Sequence, residues 1–259
     1  RSIDGWMEFK IVKPVLPIFY SSTFPRFPET QKIVLESSGT ATCEYMGRGH
    51  ISHVAKNSEK KSQAEILQKL GIQKLNPMQE EAKNIIPANT EIVLLSPTGT
   101  GKTLAFLLPI IEQLDPTCKE IQVLIVVPSR ELAIQIEQVI REMGTGYKAN
   151  AVYGGRAGSQ DKIELKHRPA ILIGTPGRLA DLFRKEAFSL ASIQTLVLDE
   201  FDKSLEIGFE QEMMEITNAL TAAKKRILTS ATQAVQIPSF VGLAKPVYIN
   251  YLHEKTSQL

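Results

Sequence analysis

The amino-acid sequence predicts an α/β domain: a mostly parallel sheet with helices packed on both faces. Three observations carry that expectation. Short aliphatic runs such as EIVLL at 91–95, QVLIVV at 122–127 and TLVLD at 195–199 lack the polar alternation of a half-exposed strand, so they read as strands buried on both sides. Longer stretches between them, RELAIQIEQVIREM at 130–143 above all, carry apolar residues at helical spacing. The run SPTGTGKT at 96–103 sits where one such strand turns into a helix, the place at which open α/β sheets gather ligands.

In chain order, AEILQKL at 64–70 reads as a helix and EIVLL as the first buried strand. LAFLLPIIEQL at 104–114 returns as a helix to QVLIVV, and the helix at 130–143 leads to the strand ANAVYG at 149–154. AILIG at 170–174 is a strand, GRLADLF at 177–183 a helix, TLVLD a strand, FEQEMMEITNAL at 209–220 a helix and RILTS at 226–230 a strand. Strands alternating with amphipathic helices are the pattern of crossover connections and parallel pairing. Residues 1–60 differ. KPVLPIFYSSTFPRFPET is rich in proline and aromatics and SSGTATCEYMGRGHISH in small, turn-forming residues, so this is an irregular or strand-containing segment with no assigned role. The regular domain is expected over 61–259.

The chain has 259 residues, enough for one large domain or two smaller ones. Thirty Lys and Arg against 28 Asp and Glu give a formal charge of +2, so any nucleic-acid binding must come from local groups. Cys43 and Cys118 stand far apart, which argues against a disulfide framework and fits a reducing, cytoplasmic compartment. Cys43, His50 and His53 are three candidate ligands at irregular spacing, too few for a closed metal site. No stretch approaches the roughly 18 apolar residues of a membrane span, and the expectation is a monomer without a membrane anchor.

The chemistry of the 96–103 run is that of a phosphate loop. Glycines 99 and 101 leave backbone N–H groups uncovered and free to curl around an anion. Lys102 adds a mobile positive charge, Thr103 a hydroxyl suited to Mg²⁺, and the following helix the positive end of its dipole. Ser96 stands where the general phosphate-loop pattern has Gly, so the loop is of a variant class. In TLVLDEFD, Asp199, Glu200 and Asp202 follow a buried strand; beside a phosphate loop, Asp199 can hold Mg²⁺ through waters and Glu200 can polarise an attacking water.

SPTGTGKT, PSREL at 128–132, GG at 154–155, TPGR at 175–178, DEFD at 199–202 and SAT at 230–232 occur in the order found in the DEAD-box family of RNA helicases. PMQ at 77–79 resembles that family's adenine-reading glutamine motif. The resemblance covers about residues 62–250 and corresponds to the first of the family's two RecA-like domains. It implies an ATP- and Mg²⁺-dependent enzyme with Gln79 reading adenine and Ser96, Thr98, Gly99, Thr100, Gly101, Lys102 and Thr103 cradling the phosphates. Thr103 and Asp199 would serve Mg²⁺, with Lys102, Asp199 and Glu200 carrying the chemistry. Arg130, Gly155, Thr175 and Arg178 match positions that hold an RNA backbone without reading bases. Asp202, Ser230 and Thr232 match the element coupling nucleotide to domain closure. The family's second RecA-like domain has no counterpart here, so the resemblance also implies that unwinding requires that partner.

Two departures stand out. Phe201 takes the place of the tetrad's usual Ala, and the segment KKSQAEILQKL lacks the aromatic that usually stacks on adenine upstream of the glutamine. A DNA translocase of a neighbouring group would use the same loop and carboxylates, and a nucleotide-dependent RNA clamp would bind with little turnover. The Gln79 motif and the DEFD-to-SAT pairing favour the RNA helicase.

Overall fold

The computed structural model describes residues 32–35, 41–44, 62–155, 165–233 and 236–253. The chain divides into two units, Arg1–Asn57 and Ser58–Leu259. In the first, β1 (Lys32–Leu35) and β2 (Ala41–Glu44) pair antiparallel, as a strand-containing segment requires. The proline-rich stretch, His50 and His53 lie outside the described residues.

The second unit holds one seven-stranded sheet made of β3 (Glu91–Leu95), β4 (Val123–Val126), β5 (Ala149–Val152), β6 (Ile171–Gly174), β7 (Thr195–Leu198), β8 (Lys225–Ser230) and β9 (Val247–Asn250). The spatial order is β5-β6-β4-β7-β8-β3-β9, and every neighbouring pair is parallel. Its helices are α1 (Gln63–Lys69), α2 (Pro77–Ala88), α3 (Lys102–Gln113), α4 (Arg130–Met143), α5 (Pro176–Arg184), α6 (Phe201–Ile207) and α7 (Glu210–Ala219).

Period-two alternation of aliphatics builds two cores from one sheet. Ile92, Leu94, Val123, Ile125, Ile171 and Ile173 point to one face, where they meet Phe106 and Ile110 of α3 and Ala133, Ile136 and Ile140 of α4. Val93, Leu95, Leu124, Val126, Leu172 and Leu198 point to the other, against Leu179 and Leu182 of α5, Phe201 of α6 and Met213 and Ile216 of α7. Burying both sides explains why the central residues of β3, β4, β6 and β7 run aliphatic without alternation. The buried residues of α4, Ala133, Ile136, Ile140 and Met143, recur at the spacing of one helical stripe.

Three elements go beyond the sequence expectation. Helix α2 starts at Asn76, whose side chain accepts from Gln79 N while Gln79 answers with a bond from Asn76 N, a reciprocal capping box with Pro77 in the first helical position. Helix α6 begins directly after Glu200, whose backbone is left-handed at φ 46°. Strand β9 is a half-exposed edge strand following Pro246, with Tyr248 turned outward.

Phe201, at the head of α6, is 1% exposed and packs in the second core, beneath the sheet and away from the phosphate loop. Although Phe201→Ala restores the small residue usual in the resembled motif, it should open a cavity here and cost about 3–5 kcal/mol of unfolding free energy. Urea denaturation checks this; an unchanged midpoint would mean that the core closes over the missing ring.

Candidate nucleotide and nucleic-acid site

Because every strand of the sheet runs the same way, all of its carboxyl ends lie on one edge, and the candidate residues divide along it. The phosphate loop leaves β3, the DEFD residues leave β7, and the SAT residues leave β8, the strand between them. Gly155 follows β5, Thr175 and Arg178 follow β6, and Arg130 follows β4, so the four backbone-binding candidates occupy the neighbouring trio β5-β6-β4.

The loop is held by its own polar groups. Ser96 Oγ and Thr100 Oγ1 share a hydrogen bond of 2.7 Å, and Thr100 Oγ1 is also 2.8 Å from Pro97 O. Lys102 Nζ donates to the carbonyls of Ser96 and Pro97, the latter at 2.8 Å. Thr98 and Gly99 are exposed at the tip. Gly101 has φ 87°, a left-handed backbone that favours glycine, and a Cβ there would also lie 2.5 Å from Nε2 at the end of the Gln79 side chain.

Gln79 and Asn76 tie α2 to the loop. Gln79 Nε2 donates to Gly101 O at 3.2 Å and Asn76 Nδ2 to Thr100 O at 2.9 Å. The Gln79 amide thus uses one donor and one acceptor on the protein and retains one of each for a base edge. Asn76 is a residue the sequence reading did not single out, and its only signal was its place as the cap before Pro77. Next to the loop lies a cavity of about 410 Å³ whose aliphatic wall includes Leu70, Ile72, Leu132 and Val139, with Asp199 and Glu200 also on its lining.

Asp199 is almost wholly buried. Its Oδ1 accepts from Thr229 Oγ1 at 2.5 Å and from Glu200 N at 3.1 Å. Burial pushes its carboxyl up to about 6; the Thr229 hydroxyl opposes that rise, the Glu200 charge adds to it, and Lys102 opposes it. Burial also lowers the Lys102 ammonium, partly offset by the charges of Asp199, Glu200 and Asp202. Glu200 Oε2 accepts from Lys203 Nζ at 2.9 Å, and its left-handed backbone stores about 1–3 kcal/mol of strain at the corner where the acids project.

Asp202 Oδ2 accepts from Ala231 N and Thr232 Oγ1, each at 3.2 Å. Ser230 Oγ bonds Thr232 instead, donating to its carbonyl at 2.8 Å. Asp202 Oδ1 is buried without a partner among the described residues. Arg130, first in α4, is exposed and paired only loosely with Glu131 at 3.3 Å. Arg178 is folded down, with its guanidinium 2.8 Å from Asp181, and Gly155 sits in a turn at φ 86°. Thr175 precedes α5, which Pro176 opens.

The donor set suits a hard divalent cation carried by phosphates: a buried carboxylate with a raised pKa, a hydroxyl at Thr103, and room for water. Among the described residues no group of three His, Cys, Asp or Glu could hold a metal ion, so a metal here would depend on the nucleotide's oxygens. No helix among the described residues is long and apolar enough to cross a membrane.

A family model described as DEAD/DEAH box helicase matches residues 76–239. A probable ATP-dependent RNA helicase ddx6 of Dictyostelium discoideum is 38% identical over 190 residues, covering 72% of this chain and 45% of the relative. DEAD-box ATP-dependent RNA helicase 6 of Oryza sativa subsp. japonica is 36% identical, over 72% of this chain and 38% of its own. The chain therefore spans less than half the length of these curated relatives. Among solved structures, a DEAD box protein from Methanococcus jannaschii superposes with a TM-score of 0.63 at 28% identity, covering 71% of this chain and 51% of that one. A hypothetical ATP-dependent RNA helicase from Sulfolobus tokodaii gives 0.62 at 27%, covering 72% and 57%.

The buried carboxylate has a consequence for the free protein. An unfolded Asp titrates near 3.8 and Asp199 near 6, so the folded state holds the extra proton between those values. Stability linked to this group is fully present below about pH 4 and is lost as pH rises through 6. Asp199→Asn keeps an acceptor for Thr229 and removes the charge, so its melting temperature at pH 7.5 should equal or exceed that of the wild type, and the gap should close by pH 4. A variant that melts lower than the wild type at pH 7.5 but not at pH 4 would show that the ionised carboxylate stabilises the fold.

Proposed function

The chain belongs to the DEAD/DEAH box helicase family, and on that premise we propose that it forms the first RecA-like domain of an ATP-dependent RNA helicase. The observation that carries this reading is the convergence of Lys102, Asp199 and Glu200 on one cavity at the carboxyl edge of the sheet. The loop N–H groups and the start of α3 accept the phosphates, Lys102 exchanging its bonds to Ser96 O and Pro97 O for β/γ-phosphate oxygens. Asp199 and Thr103 are the residues that would hold Mg²⁺ there. When bound there, Mg²⁺ neutralises charge building on the phosphate oxygens. Glu200 orients the attacking water and takes its proton, and Lys203 steadies that carboxylate at 2.9 Å.

Adenine occupies the aliphatic wall of Leu70, Ile72, Leu132 and Val139 in place of an aromatic stack, with the remaining donor and acceptor of Gln79 on its edge. Arg130, Gly155, Thr175 and Arg178 hold the RNA sugar-phosphate backbone, so recognition is sequence-independent and weakens with salt. Arg178 reaches that backbone only on release from Asp181. The buried, unpaired Asp202 Oδ1 is the acceptor that closure of a second RecA-like domain would satisfy.

Lys102→Ala should weaken Mg-ATP binding by about tenfold to a hundredfold, the loss of charge-assisted bonds of about 1.5–3 kcal/mol, as read by displacement of a fluorescent nucleotide. Glu200→Gln should bind ATP like the wild type while losing turnover; loss of both together would make Glu200 structural. Residues 1–259 alone should show no RNA-stimulated hydrolysis, because the arginine worth about 10³–10⁵ in rate comes from the second domain. Adding that domain should restore it, and efficient duplex unwinding by this chain alone at monomer concentrations would contradict the assignment.

A further inference from the structure

Strand β8 runs KRILTS, and within it Thr229 is a buried hydroxyl among aliphatics, fully enclosed between β7 and β3. A strand position of this kind accepts Val without loss of shape, so the hydroxyl needs a reason. Its partners are two groups of the DEFD corner: it donates to Asp199 Oδ1 at 2.5 Å and accepts from Glu200 N at 3.1 Å. Glu200 N is shared between that hydroxyl and Asp199 Oδ1, which closes a three-membered ring of bonds. Asp199 Oδ2 has no protein hydrogen bond among the described residues, and Asp199 lines the nucleotide cavity.

We infer that Thr229 is a positioning residue for the metal bound with nucleotide: its hydroxyl fixes the rotation of the Asp199 carboxylate so that Oδ2 faces the metal's water shell. The same hydroxyl anchors the left-handed Glu200 backbone, so one side chain sets the aim of both acids. It also links them to the coupling residues, because Thr229 is followed directly by Ser230, Ala231 and Thr232, and the latter two hold Asp202 Oδ2. A shift of β8 at closure would therefore be felt at the metal carboxylate through a single bond. Outer hydrogen bonds that orient metal-ligating carboxylates have measurable effects on metal affinity.

The inference rests on the Mg-nucleotide reading, and the test separates the two. Thermal shift of the intact chain is recorded at fixed ADP while Mg²⁺ is titrated, and again with ADP and no Mg²⁺. Thr229→Val, which keeps the shape and removes the hydroxyl, should raise the half-saturating Mg²⁺ concentration by about tenfold or more. Thr229→Ser should stay near the wild type, and the Mg-free ADP shift should be the same for all three. Should the Val variant not fold, Thr229→Ala replaces it and is read against Thr229→Ser in the same way. An unchanged Mg²⁺ midpoint in the folded hydroxyl-free variant overturns the role of Thr229 and leaves the ATP site standing, as does an equal shift for Ser and Val. A wild-type chain with no Mg-dependent response to ADP overturns both.

Discussion

A sheet of uniformly parallel strands cannot be closed by hairpins, so each strand must be followed by a crossover that returns the chain to the opposite end. In this domain all six neighbouring strand pairs are parallel, and that decides where polar groups go. Most of the buried strand positions are aliphatic on both faces and the helices cover both, so the turns at the carboxyl edge are where charged side chains can gather beside uncovered backbone N–H groups. The separation of the candidate nucleotide groups on β7, β8 and β3 from the candidate backbone-binding groups on β5, β6 and β4 follows from strand order alone. No motif needs to reach across the molecule.

Placing charge at the end of a buried strand has its own cost. Asp199 is desolvated enough for its carboxyl to rise to about 6, and Lys102 is lowered by the same cause. The protein offsets this with bonds from Thr229 and the Glu200 amide on one side, and the Ser96 and Pro97 carbonyls on the other. Both groups are thereby held in place short of full compensation. A phosphate for Lys102 and a hydrated cation for Asp199 would complete it, which is why a Mg-nucleotide fits the arrangement better than either ion separately.

The buried strands and the long amphipathic helices were legible in the sequence because burial on both faces leaves an unbroken aliphatic run, and α4 keeps one stripe from Ala133 to Met143. The 96–103 loop and DEFD stood out in the sequence as candidates because glycines and paired acids beside such strands have few other uses. Helix α2 was hidden by its two prolines, Pro77 opening it and Pro87 inside it, which resemble loop punctuation until the Asn76 cap is seen. Strand β9 is short and half exposed, without the aliphatic run of its neighbours. Thr229 and Lys203 could not be read at all: a threonine in a strand and a lysine in a helix acquire meaning only from the carboxylates the fold sets against them. Phe201 was legible as a departure from the resembled motif, but not that its ring turns into the core behind the sheet.

The central claim is that one Mg-nucleotide joins the loop after β3 to the carboxylates after β7 across the end of β8. Hydrogen–deuterium exchange of the intact chain with and without saturating Mg-ADP addresses it segment by segment. The account predicts slowed exchange at residues 96–104, 199–203 and 229–232 together, with the amino-terminal ends of β4, β5 and β6 unchanged. Protection confined to the loop, absent from the acids and from β8, would contradict it, as would protection centred on any other part of the domain.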